Sequence, residues 1–128
     1  MRIFKNKAFH RWYRKQGLTD GHLVQAIGEI QSGLVEADLG GHLFKKRIAI
    51  SGKGKSGGVR TVLAYHANNN AFFIYGFAKN DRANIRDDEL RALKKYAAEL
   101  LAYTDAGLLK AMQAGALIEV RPDEKADS

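Results

Sequence analysis

Val59-Arg60-Thr61-Val62-Leu63-Ala64-Tyr65-His66-Ala67-Asn68-Asn69-Asn70-Ala71-Phe72-Phe73-Ile74-Tyr75-Gly76-Phe77-Ala78 decides how this chain folds. It holds two runs, Val59–His66 and Ala71–Ala78, rich in the β-branched and aromatic residues that suit a pleated, half-buried surface. Asn68-Asn69-Asn70 separates them, and asparagine tolerates the positive φ of tight hairpin turns. Just upstream, Leu43–Ile50 alternates: Phe44, Ile48 and Ile50 fall on one face, Lys45 and Arg47 on the other. Lys46 interrupts the apolar face and is expected near a strand end or at a rim. Gly52-Lys53-Gly54-Lys55-Ser56-Gly57-Gly58 joins this strand to Val59. The two Gly/Asn-rich connections predict an antiparallel meander.

Helical spacing lies on both sides of the meander. Phe9, Trp12 and Tyr13 recur in a short basic segment ending at Gly17. Thr19 or Asp20 can cap a second helix with Leu23, Ile27 and Ile30 on one side and a stop at Gly33. After Asn80 the period is helical again. Asp87-Asp88-Glu89 places negative charge on a first turn, and Leu90, Leu93, Ala97, Leu100 and Leu101 form an apolar stripe. Thr104 can cap another helix carrying Leu108, Leu109 and Met112 and ending near Gly115. Leu117-Ile118-Glu119-Val120 reads as a small strand or docked tail. The order is helices, strands, helices: an α+β domain over residues 1–121, with 122–128 as a frayed tail.

At 128 residues the chain can bury a core without staples, and with no cysteine it has no disulfide, thiolate metal site or cysteine nucleophile. Met1-Arg2-Ile3-Phe4-Lys5-Asn6-Lys7 lacks the apolar centre of a signal peptide, and Ala71–Ala78 is too short to span a bilayer. A cytoplasmic protein without membrane contact is expected. The net charge of +7 is unevenly placed, with +9 over residues 1–79 and −2 over 80–128. No carboxylate lies between Leu39 and Asn80, so nothing nearby in sequence neutralises the cations of the meander. A basic front of this kind suits a polyanion, nucleic acid first.

Several chemistries fall away. Gly54-Lys55-Ser56 resembles the end of a phosphate-binding P-loop, but Ala49 stands where its first glycine belongs and a strand follows. His10, His22, His42 and His66 are scattered without ligand spacing, and Ser56 has no identifiable triad partners. RNA cleavage through the substrate's own 2′-hydroxyl remains. It needs a base, cations for the charge developing on phosphorus, and an acid for the leaving oxygen. Lys45, Arg47, Lys53, Lys55, Arg60 and Lys79 lie on the strands or their joining loop. Arginine binds phosphate through two parallel donors, and lysine can move protons where neighbouring cations depress its pKa. Tyr75 shares strand parity with Lys79; its ring either stacks on a base or serves as a core ring with its hydroxyl at the rim. His66 lies roughly 20 Å along the strand from Arg60 and reads as a strand-end residue.

Lys45-Lys46-Arg47-Ile48-Ala49, the loop Lys55-Ser56-Gly57-Gly58-Val59-Arg60-Thr61 and the segment Tyr75-Gly76-Phe77-Ala78-Lys79-Asn80-Asp81-Arg82-Ala83-Asn84-Ile85 together resemble the RelE/HigB-like toxins of type II toxin–antitoxin systems. The closest likeness is to the branch often described as phage-related, with its K-S-G-G-x-R-T and Y-G-F-A-K-x-x-R-x-N-I motifs. The resemblance implies N-terminal helices on a small antiparallel-rich sheet, followed by C-terminal helices. It implies a ribosome-dependent, metal-independent mRNA interferase that works without a cofactor. Its catalytic positions fall on Lys45, Arg47, Arg60 and Lys79. Lys53, Lys55, Tyr75 and Arg82 would bind RNA. The implied partners are the ribosome, mRNA and a cognate antitoxin of helix-turn-helix type covering the basic face. Two positions depart from better-known members: Asn80 stands in place of an arginine, and no tyrosine lies near Ile85-Arg86. The alternative is a non-catalytic RNA- or ribosome-binding module of the same fold; an inert remnant is a third.

Overall fold

The computed structural model describes residues 1–50, 58–78 and 84–121. In chain order the elements are β1 (Ile3–Asn6), α1 (Lys7–Lys15), α2 (Asp20–Gln31), β2 (Ala37–Gly40), β3 (Leu43–Ile48) and β4 (Val59–Tyr65). They continue with β5 (Ala71–Ala78), α3 (Asp87–Leu101), α4 (Asp105–Gln113) and β6 (Leu117–Glu119). The strands form one sheet in the order β2-β3-β4-β5-β1-β6. Strands β3 to β5 make the expected antiparallel meander, with Ile48 opposite Val59 and Val59 opposite Ala78, and β2, a strand the sequence reading does not include, extends it antiparallel to β3.

The chain does not begin with a helix, as the sequence reading has it. It begins with β1, which runs parallel to β5 (Ile3 opposite Ala71) and antiparallel to β6 (Phe4 opposite Glu119). Four residues interrupted by a lysine give no strand signal, because the burial of Lys5 depends on a partner elsewhere. Its ammonium sits 2.9 Å from the Asp20 carboxylate with only 2% of the side chain exposed. The Tyr13 hydroxyl and the Arg121 backbone N–H also donate to Asp20, at 2.8 and 2.9 Å. A buried ion pair is tolerated when further hydrogen bonds complete it, and here they do. His10 stacks near Tyr13, and burial followed by the charges of Lys5 and Arg14 lowers its pKa.

Helices cover both faces of the sheet. Phe9, Tyr13, Leu23, Ala26, Ile27 and Ile30 from α1 and α2 pack against Ile48, Val59, Leu63 and Phe73. On the opposite face Ala97, Leu100 and Leu108 from α3 and α4 pack against Phe4, Leu43, Val62, Phe72 and Phe77. The C-terminal helices are therefore core. Capping follows the sequence closely. Thr19 caps α2 in a reciprocal box with His22, Thr104 caps α4, and Asn6 caps α1 by accepting from the Phe9 N–H at 2.7 Å. Gly33, just beyond α2, takes the left-handed conformation with φ 89°. Lys46 is the second correction. It lies mid-strand, buried, with its ammonium 2.6 Å from Glu29 of α2.

A β-bulge aims the last long strand. Val62 faces Tyr75 while Leu63 faces Phe73, so Ile74 is the extra residue on β5. Phe73 points toward α1, whereas Ile74, Tyr75 and Phe77 all meet the cluster beneath α3. The bulge thus moves Tyr75 to the α3 face. Gly76 then faces α1, where the Trp12 indole lies against its backbone.

Candidate nucleic-acid interface

Cross-strand neighbours share a face, so register places the cations. Arg47 stands directly opposite Arg60, which stands opposite Phe77; two residues along, Lys45 faces Val62 and Val62 faces Tyr75. Lys45, Arg47 and Arg60 therefore belong to the α3 face, at the end of β3 and β4 away from the Asn-rich turn. Paired cations at a cross-strand position repel, so a nearby carboxylate favours the arrangement.

Glu36 supplies a carboxylate to Arg60 and Lys45. Its carboxylate lies 2.8 Å from Arg60 Nε through one oxygen and 3.1 Å through the other. It is 3.6 Å from the Lys45 ammonium, which also donates to Asn84 Oδ1 at 3.4 Å. The backbone N–H of Glu36 donates to the Lys45 carbonyl at 3.0 Å, anchoring the chain just before β2. Sequence reasoning missed Glu36 because it looked for carboxylates within the meander itself. The available signal was the return of β2 along β3 across Gly40-Gly41, which sets Ala37 opposite Lys45.

Tyr75 is half-buried against the α3 cluster, with its ring 6.0 Å from Phe77. Its hydroxyl donates to Glu89 Oε2 at 3.3 Å, and Glu89 also accepts from the Arg86 N–H that opens α3. This placement is that of a core ring with its hydroxyl at the rim. His66 follows the end of β4, far from Arg60, as expected of a strand-end residue. Its ring is 4.6 Å from His42, so the fold joins two histidines that the sequence leaves apart. Among the described residues no group of three or more His, Asp or Glu side chains could hold a metal ion. Lys53, Lys55, Lys79 and Arg82, with Ser56 and Asn80, lie outside the described residues. The strands that lead into those segments end beside Arg47 and Arg60.

Two guanidiniums, an ammonium and a carboxylate on one patch can bind a phosphate and stabilise charge developing on it. A comparison with known protein families matches residues 1–120 to the RelE toxin of the RelE/RelB toxin–antitoxin system. The chain belongs to the RelE toxin family. The match runs from β1 through β6, so every element that builds the patch lies within it. As a RelE-family toxin it has a cognate antitoxin as partner, and its mixed α+β sheet agrees with the family's fold. A comparison with curated proteins found no match. Among the described residues of this RelE-family toxin no helix is long and apolar enough to cross a membrane.

Proposed function

We propose that this toxin is a metal-independent endoribonuclease that cuts mRNA on the ribosome in the cytoplasm and so arrests translation. One observation carries the reading: Arg47 and Arg60 are direct cross-strand partners with Lys45 on the same face. This sets two guanidiniums and an ammonium on one face, donors suited to a phosphodiester, the anion the family's role calls for. Arg60 and Arg47 clamp the scissile phosphate. The substrate 2′-hydroxyl loses its proton to a base and attacks phosphorus, the bond to the 5′-oxygen breaks, and an acid protonates that oxygen. A 2′,3′-cyclic phosphate and a 5′-hydroxyl result. Lys45 and Lys79 serve proton transfer, while Lys53, Lys55 and Arg82 hold flanking phosphates. Tyr75 borders the site at its α3 rim. The antitoxin, a small helix-turn-helix protein, covers the basic face. The K-S-G-G-x-R-T and Y-G-F-A-K motifs support a place in the phage-related branch.

Inducing the toxin without antitoxin and mapping new mRNA 5′ ends tests the reading. Codon-phased cuts are expected, and Arg60→Ala should abolish them, since removing one charge-stabilising donor typically costs 10²–10³ in rate. A folded wild-type protein that makes no cuts yet binds RNA would replace the enzyme with a binding module of the same fold.

A further inference from the structure

We propose that the Glu36 carboxylate is a resident substitute for the target's phosphate, seated on Arg60 and Lys45 and displaced when nucleic acid binds. The inference rests on reading that cluster as a phosphate clamp. This toxin treats two of its buried cations' carboxylate partners differently. Asp20 is locked: 12% exposed, it accepts from Lys5, Tyr13 and the Arg121 backbone. Glu36 is not. Among the described residues its carboxylate meets only Arg60 and Lys45, and its side chain is 31% exposed against 14% and 13% for the two cations.

The carboxylate therefore lies on the solvent side of the seat, where an arriving phosphate would come. It touches the guanidinium at Nε, along one edge. A phosphodiester can engage the same fork through two oxygens and bind it more strongly. Release of Glu36 requires no backbone movement, because its N–H stays bonded to the Lys45 carbonyl while the side-chain torsions turn away. Once released, the carboxylate regains water and faces the bound phosphate as a like charge. Glu36 thus serves two ends. It offsets the charge of Arg60 and Lys45 in the empty site, and it penalises any nucleic acid that fills the seat without making the remaining contacts.

Salt dependence reports this exchange. A cation that is already neutralised releases fewer counterions when phosphate replaces its internal partner. Glu36→Gln should therefore steepen the slope of log affinity against log salt by about 0.7, the value for one single-strand phosphate contact. It should also tighten binding on the order of fivefold at low salt, the scale of an exposed ion pair. The probe is a single-stranded 2′-deoxy oligonucleotide, which lacks the attacking hydroxyl, so the measurement does not depend on catalysis. Glu36→Ala, which leaves no amide to bond Arg60, should move the same way, and both variants should still melt cooperatively, at most a few degrees below wild type. If Arg60→Ala weakens binding while both Glu36 variants match wild type in affinity and slope, the resident-anion proposal is wrong and the clamp stands. If Arg60→Ala changes nothing, clamp and proposal fall together.

Discussion

Gly76 shows how much one missing side chain carries. A Cβ there would overlap the six-membered ring of the Trp12 indole, so α1 packs on β5 only because this position is glycine. Gly76→Ala should destabilise the fold by about 2 kcal/mol, the usual cost of overpacking, and lower the melting temperature by roughly 5–10 °C. In a Trp12→Ala background the same substitution should cost almost nothing further, which a double-mutant cycle of thermal melts would read directly. The family motif already places a glycine after Tyr75, but the indole that demands it is sixty-odd residues earlier and invisible to local pattern. The same holds for Ile74. Its alternation looks regular in sequence, and only pairing with β4 reveals the bulge that sends Tyr75 to the α3 face. Lys45 and Arg47 were legible as cations on one strand face because strand parity fixes faces locally, and pairing with β4 adds Arg60 to that face. Glu36 was not legible, because its role comes from an antiparallel return.

Among the elements, those whose signals are local were read well. Thr19, Thr104 and the Asp87-Asp88-Glu89 turn announce their helices through groups that satisfy orphan backbone donors or the helix dipole. β1 was missed and Lys46 misplaced for one shared reason: each is a lysine made buriable by a carboxylate on α2. The Asp20 network has a measurable consequence. Burial alone would raise the pKa of Asp20, but donation from the Arg121 N–H, Lys5 and Tyr13 outweighs it and lowers the pKa below the usual aspartate value. The ionised form is thus favoured in the folded state. Stability from this site is complete above about pH 4, the unfolded value, and drains away as pH falls through the depressed folded value. Asp20→Asn should cost about 3–5 kcal/mol at neutral pH by stranding Lys5, and should flatten the acid side of the stability curve below pH 4. Urea melts across pH 2–7 would show both effects; an unchanged acid limb would deny Asp20 this role.

At the scale of the molecule, the sheet is closed on both faces and depends on its last residues. Leu108 and Leu117 are buried, and Val120 donates its backbone N–H to Ile3 at 2.8 Å. Deleting residues 104–128 removes α4 and β6, uncovers Phe4 and leaves β1 as an edge. The truncated chain should lose cooperative melting and become quickly digestible in limited proteolysis, whereas a merely appended tail would leave both unchanged. The same topology also bears on the chain's own synthesis. Ile3 pairs with Ala71, so the first strand made has no neighbour on that side until most of the chain has been translated. At about 5–20 residues per second, this interval lasts on the order of 3–14 s. Throughout it β1, the strand next to the β6 edge, has no β5 to pair with. A ribosome making this toxin therefore completes more than half of the chain before the first strand can take its place in the sheet.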